Sequence, residues 1–598
     1  MKFAGSLFVA AVLLLSAPAA QALVGPTEVL PDGTHRTTYS IGPLEVTSGQ
    51  NRISYKPITG AEKPGVDGWI TRIKPDLVNS DGSIPSSSKV MFHHGVWINQ
   101  SRGQNFFATG EEKTIFELPP GYGYRYRASD KWLLNHMIHN LIPDPMTLYA
   151  TYTIDFIPDT DPRAESITPA NPIWMDVESG IYPVFDTHRD SGGPDGEFTY
   201  PQDADNPYGG GSQKNERTIN RDGVLLNTTG HVHTGGLDTE LFLRREGASY
   251  GGPVCATPPD RSKGLAAFEL AVKKMTARQK KLNRSLKPKK QKRLRKSMPA
   301  KKFKQWKRGK MKTKRKLKRI KRSRLKAQGA LKAKVKGEQD VYQACVDTQP
   351  NVEGNRVRLF QSKAEYFGDR QPVSWDMAMY STDDDWKVQV KAGDTLELQT
   401  TYETKIGSWY ESMGINVVYW AAESNGRNPY VTKVDGEGVL NHGHLDENND
   451  HGGAETSWPN PETLPDGLRS GGPFTIGDYT YSQGDFRLPA ALGGNPPVVK
   501  QGESFTFKMK QGDLDQEIWH SLTSCKAPCN RSTGISYPLP DGEFQFDSGQ
   551  LGNLGGNAGP PTVGRTTWST PANLPVGTHT YFCRIHPLMR GAFRVEPK

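Results

Sequence analysis

The sequence predicts an all-β protein built from several domains. Short runs of Val, Ile, Tyr, Phe and Thr recur along it, separated by Gly, Pro, Asn and Asp, with 62 Gly and 44 Pro in 598 residues. Long amphipathic helical patterns are scarce outside one Lys/Arg-rich stretch. The length is enough for more than one core.

The first 22 residues read as a secretory leader: Lys2, an apolar run over 7–15, and the small-x-small site Ala20-Gln21-Ala22 before Leu23. That run is too short to cross a bilayer, and no later segment is long and apolar enough. The expectation is a secreted, extracytoplasmic protein without a transmembrane segment.

Residues 23–160 are expected to form the first β domain. A strand over 89–98 carries the adjacent His93 and His94; a second, over 132–140, carries His139; a third spans 147–156. Residues 158–172, rich in Asp and Pro, read as a linker. The second domain takes 161–255 together with 345–452. Its strand over 223–226 leads into His231-Val232-His233. Side chains at i and i+2 of a strand share a face, so this pair can grip one metal without a turn. Residues 237–244 read as the next strand, 386–401 as strand, turn and strand, and 409–420, containing Met413, as one strong strand. The loop 441–451 holds His442, His444 and His451 and reads as a solvated turn with metal-capable groups. Residues 453–472 form a linker, and 473–598 a third domain.

An insertion of about 256–344 interrupts the second domain. It opens like a helix over 265–272, and Pro288 and Pro299 break any single long helix. Between 261 and 338 stand 34 Lys and Arg against two acids, a net of +32 in a chain of +11, so the remainder carries −21. The insertion reads as a helical or disordered basic arm. It is either simply solvated or an electrostatic anchor, through 261–338, for an anionic cell-surface polymer, a membrane surface or nucleic acid. Export and the lack of ordered aromatic interleaving argue against reading nucleic-acid bases.

Five cysteines fit an oxidising compartment. Cys255 and Cys345 flank the insertion and are placed to staple its ends. Cys525 and Cys529 enclose Lys-Ala-Pro, a small disulfide loop. Cys583 is then left unpaired.

That leftover thiol lies in Tyr-Phe-Cys583-Arg-Ile-His586-Pro-Leu-Met589-Arg, with a thiolate, an imidazole and a thioether inside seven residues. A mononuclear blue-copper site needs two His, one Cys and a weak axial Met. The second His must come from an earlier strand, and His520 in Trp519-His520-Ser521 is the candidate. These features, with Phe546-Asp547-Ser548-Gly549, resemble the cupredoxins of the amicyanin, pseudoazurin and plastocyanin type over about 473–598. The resemblance implies an eight-stranded Greek-key sandwich and one-electron transfer. His520, Cys583 and His586 would be equatorial copper ligands and Met589 the axial one.

The order His93-His94, His139, His231-x-His233, Met413 resembles the copper type II monooxygenases, peptidylglycine α-hydroxylating monooxygenase and dopamine β-monooxygenase, over about 40–425. The resemblance implies two jelly-roll-like sandwiches with a copper on each. His93, His94 and His139 would hold the electron-transfer copper, and His231, His233 and Met413 the oxygen-activating one. Thr229, Ile415 and Val417 differ from that family's residues at the matching positions, so no particular substrate follows. The combined expectation is an exported copper oxidoreductase with one type 1 and two further coppers. Its partner is a redox protein or small reductant, and the C-terminal domain feeds a monooxygenase-like module. The alternative is a non-catalytic copper-binding electron carrier, anchored to an anionic surface by its basic insertion.

Overall fold

The computed structural model describes residues 25–598 except 87–88, 179–183, 188–190, 204–214, 253–254, 367–376, 406–408, 437, 443–458, 517, 526–544, 549–550, 553–564, 584 and 587. The leader, His444, His451 and Cys529 therefore lie outside the described residues. The fold is all-β apart from one helical unit and the short helix Gln511–Asp515, as the strand-and-turn punctuation implies.

The first sandwich pairs two sheets. One runs Glu28–Val29, His35–Val46, Met146–Pro158, Gly68–Asn79, Tyr122–Tyr126, Thr168–Pro169, with Phe116–Glu117 beside Gly68–Asn79. The other has four antiparallel strands in the order Asn51–Ile58, Trp132–Asn140, Val90–Asn99, Gln104–Thr109. Alternate residues of both sheets point inward. Trp97 of the second sheet meets Tyr152 of the first, ring centroids 5.4 Å apart. Burying such rings supplies most of the driving force for this core.

The register of strand Val90–Asn99 slips against Trp132–Asn140. Phe92 faces Ile138 and His94 faces Met137, so His93 is an extra residue in a β-bulge. In a regular strand two adjacent side chains point to opposite faces. The bulge breaks that alternation where the adjacent histidines stand.

The second β region is a twelve-stranded antiparallel sheet. Strand Gly223–Val232 lies between Gly414–Ala421 and Met377–Ser381, and Gly236–Arg244 lies between Arg356–Tyr366 and Thr395–Glu403. The expected single strand over 409–420 is two. Trp409–Ser412 pairs with Phe185–Thr187, and Gly414–Ala421 pairs with Asn171–Asp176 and Gly223–Val232. Met413 is the joint, its amide and carbonyl both bonded to the Tyr402 hydroxyl rather than to a neighbouring strand. The predicted linker 158–172 holds a short 3-10 turn, Pro162–Ser166, and ends inside strand Asn171–Asp176.

Buried Asp238 of this sheet accepts a hydrogen bond from Gln361 Nε2 (2.6 Å). Burial, with the Glu240 carboxylate nearby, pushes its pKa up to about 7. A raised folded pKa means the stability contributed is complete below the unfolded value near 3.8 and is lost as pH rises through about 7. Asp238→Asn is therefore expected to exceed the parent by roughly 1–4 kcal/mol at pH 8 and to match it near pH 3. Denaturant unfolding at the two pH values checks this.

Eight described strands make up the C-terminal sandwich, in two sheets of four: Thr480–Tyr481, Phe474–Gly477, Thr506–Met509, Thr567–Ser569, and Val498–Lys500, Arg590–Glu596, Gly577–Phe582, Thr523–Cys525. Phe505, Phe507, Tyr581 and Phe593 fill the space between them.

The insertion is helical and forms its own compact unit, 250–350 with 430–433. Helices α1 (Ser262–Ser285), α2 (Pro288–Ser297) and α3 (Ala300–Asp347) break at the two expected prolines. Arg261 meets Glu338 in a two-pronged ion pair (2.9 Å each), and Glu269 meets Lys332 (3.7 Å). The descending pairing makes α1 and α3 antiparallel. Cys255–Cys345 closes the base, Cα atoms 5.8 Å apart. Among the described helices none is long and apolar enough to cross a membrane.

Candidate metal centres

Cys583 follows strand Gly577–Phe582, whose partners on either side are Thr523–Cys525 and Arg590–Glu596. The turn after it is closed by Met589 N–H to the His586 carbonyl (2.8 Å) and Cys583 N–H to the Met589 carbonyl (3.0 Å). His520 is brought in by backbone bonds in both directions with Leu551. The result is a triangle of donors: Cys583 Sγ to His520 Nδ1 3.9 Å, Sγ to His586 Nδ1 3.8 Å, and Nδ1 to Nδ1 3.1 Å. Its centre lies roughly 2.1 Å from each atom (the circumradius of those sides), the length of a first-row metal bond to imidazole or thiolate. Met589 is fully buried in the same core cluster as Cys583. Two imidazoles, a thiolate and a thioether are the donor set of mononuclear copper electron-transfer sites, so these residues fit copper.

The surroundings favour the thiolate and fix the rings. Ser521 N–H and His586 N–H each donate to Cys583 Sγ at 3.3 Å. Burial raises the thiol, but His520 and these amides outweigh it and hold it below its usual range. Burial likewise opposes a charged His520, yet Asp513 and Cys583 prevail and push it up to about 9. Asp513 Oδ2 sits 2.7 Å from His520 Nε2, and the same carboxylate accepts the Asp478 N–H. Asp478 and Tyr479 both have positive φ, 50° and 58°, in a two-residue hairpin between Gly477 and Thr480. That turn sets the Tyr479 ring edge-on to His586, centroids 5.0 Å apart.

Upstream, the structure gathers the two predicted histidine sets. His93 stands 5.8 Å from His94, 6.3 Å from His139 and 4.3 Å from His233, centroid to centroid, and His231 stands 5.1 Å from His233. At the C-terminal triangle the same measure between His520 and His586 is 4.8 Å. All five are buried. Burial pushes His94 and His139 down to about 3 and His93 well below its usual range, with the neighbouring imidazoles adding to the effect at His93 and His94. Neutral rings are the form that binds metal. Met413 comes up beside His233, because the strand register ends with Val232 opposite Gly414 and the Tyr402 hydroxyl receives both the His233 and the Met413 N–H.

Sequence reasoning missed three residues here. Fully buried Glu112 holds His231 Nδ1 at 3.1 Å through Oε2, while its Oε1 accepts Gly110 N–H (2.6 Å). His231 Nε2 is buried and makes no hydrogen bond. His136, pushed down to about 4 by burial, interacts electrostatically with His94. Asp513 is the third. A cleft opens beside His231, walled by Phe107, Phe116, Ile415, Val417 and Tyr419, with Glu112 and Thr229.

The C-terminal ligand loop lies against the first sandwich. His586 Nε2 is 3.4 Å from the Gly49 carbonyl, its ring is 6.1 Å from His139, and His139 hydrogen-bonds the Ile585 backbone. Among the described residues, His520, Cys583 and His586 are the trio whose donor atoms all lie within 4.8 Å of one another. His442 is buried, in a segment whose other histidines lie outside the described residues. Cys525 is disulfide-bonded, and Cys583 is a free, buried thiol.

No protein-family model and no curated protein matches the chain. Among solved structures it is similar to a copper-containing nitrite reductase (NirK) from Thermus scotoductus SA-01, at 11% identity over 37% of this chain, with a TM-score of 0.13. The match spans about half of that protein (49%). A superposition that loose assigns neither fold nor activity.

Proposed function

We propose that this chain is an exported copper oxidoreductase. Its C-terminal sandwich carries a one-electron type 1 centre on His520, Cys583, His586 and Met589. The observation that carries this is the donor triangle, with its centre at bond length from all three atoms and its sulfur held by two amides. Copper loading of the purified chain, read by the visible thiolate band and by copper stoichiometry, is the test. Absence of that band in copper-saturated protein refutes the reading.

The upstream imidazoles and Met413 are read as holding two further coppers, with His231 facing the cleft and His233 and Met413 behind it. The reaction class is monooxygenation. One oxygen atom enters a substrate C–H bond, the other leaves as water, and an external reductant supplies two electrons. Among the described residues no Lys or Arg lines the cleft, so no cation there would pair with a carboxylate group.

The contact of His586 with the first sandwich favours delivery of electrons within the chain over a free carrier role. A carrier needs its ligand edge open to partners, whereas His586 is 1% exposed and covered by Gly49, Tyr479 and His139. Gly49 has φ 59°, and a Cβ there would stand 2.1 Å from the Tyr479 hydroxyl. Gly49→Ala is therefore expected to part the two surfaces. The visible band should survive while electron exchange between the C-terminal and upstream coppers, followed by its bleaching, slows at least ~10-fold.

The helical hairpin is read as the anchor to an anionic cell-surface polymer. Its two acids between 261 and 338 are both engaged in ion pairs with its own Arg261 and Lys332, and nearly all its cations face solvent. Binding to a model polyphosphate should weaken steeply from 0.1 M to 1 M salt, as the screening length falls from about 10 Å to about 3 Å. Deleting 261–338 should abolish it and leave the visible band intact.

A further inference from the structure

Two separate sites would keep the histidines of the first sandwich apart from those of the twelve-stranded sheet. The structure does the reverse. The tightest imidazole contact in the upstream group, His93 with His233 at 4.3 Å, joins the first sandwich to the region of the twelve-stranded sheet. It is closer than His93 to its own sequence neighbour His94 (5.8 Å) or to His139 (6.3 Å), and closer than His231 to His233 (5.1 Å). His93 also interacts electrostatically with His231, and His94 does so with both His231 and His136. The rings form one continuous buried group.

The number and spread of donors decide how many ions such a group suits. Five imidazoles and a thioether exceed what one four-coordinate ion takes. No three of their nitrogens cluster as tightly as the C-terminal trio does, so the donors do not converge on one point. His231 adds a directional observation. Its Nδ1 is held by a fully buried carboxylate, and its Nε2 is buried without a hydrogen bond. A carboxylate on one ring nitrogen is the arrangement that orients the other toward a metal.

We propose that the upstream residues form one dinuclear copper centre across the joint between the first sandwich and the twelve-stranded sheet, with His93 on one ion and His233 on the other, rather than two independent mononuclear sites. This rests on the reading that these histidines bind copper. The bulge at His93 is the structural device that makes it feasible, because it frees His93 from the strand alternation at the contact with His233. The joint is fixed independently of metal: Ile115 N–H donates to Asn441 Oδ1 (2.8 Å), and Asn441 Nδ2 donates to the Ile115 carbonyl (2.6 Å).

The test uses the full chain saturated with Cu(II). Copper is counted by mass spectrometry, and spins are counted and characterised by EPR. The expected result is about three coppers per chain, an isolated blue signal, and an interacting upstream pair seen as a half-field line or as missing spin intensity. Three coppers with full spin intensity and no half-field line would overturn the dinuclear centre and leave the copper assignment standing. One blue copper alone would overturn both. Zinc titration of the same chain gives a second readout: two upstream zinc ions whose binding is coupled support the centre, and two independent binding steps contradict it.

Discussion

Cys583→Ser is expected to abolish the visible band while leaving the upstream copper in place. A serine hydroxyl remains protonated where the thiol ionises, so the charge-transfer donor is lost with the sulfur. Copper affinity at the C-terminal site should fall by more than the roughly 10–100-fold that losing an outer-shell partner costs, since an equatorial ligand goes. The fold should persist. The serine oxygen can accept the same two amides, Ser521 N–H and His586 N–H, that now converge on Sγ. Copper per chain is therefore expected to drop by one. Loss of all copper would mean that the sites do not load independently and would undo the assignment of separate centres. An unchanged band would remove Cys583 from the site.

How far the sequence reveals this arrangement depends on the range of the interactions. Cys583, His586 and Met589 sit on one turn, and their spacing exposes them directly. His520 is reachable because it stands 63 residues before Cys583, enough chain for several strands to return to the same loop. Asp513, seven residues before His520 on the short helix Gln511–Asp515, carries no local mark of its role. His231-x-His233 obeys strand alternation and could be read as a pair. His93-His94 breaks alternation, and only the bulge, set by pairing with Trp132–Asn140, explains how adjacent residues come to lie in one buried histidine group. The consecutive charged residues Glu111, Glu112 and Lys113 are all buried. Lys113 pairs with Glu111 at 2.9 Å, and Glu112 turns to His231, 119 residues away. Tertiary partners at that separation leave no periodicity to detect. Met413 misled in a different way. An apolar run predicts one strand, but the change of partners at Met413 is a property of the sheets.

Glu112→Gln is the second substitution with a large expected effect, and it separates positioning from mere packing. As a carboxylate, Glu112 can only accept, so it selects the His231 tautomer with the proton on Nδ1 and leaves Nε2 as a lone pair. The buried, unbonded Nε2 is consistent with that assignment. A glutamine of the same shape can turn its amide N–H toward Nδ1, which moves the ring proton to Nε2 and blocks the metal-facing nitrogen. Upstream copper affinity is expected to fall about 10–100-fold by competition titration. The C-terminal visible band should be unchanged. Stability of the metal-free protein should move by only about 1 kcal/mol, because Gly110 N–H and the Thr114 hydroxyl (3.1 Å) keep an acceptor. A purely structural Glu112 predicts the opposite pattern, with stability lost and affinity kept. Glu112→Ala is the contrast, since it strips the acceptor from both donors and should destabilise the fold by roughly 1–3 kcal/mol as well as weakening copper binding. Affinity lost in both variants, with stability lost only in alanine, identifies Glu112 as the residue that aims His231.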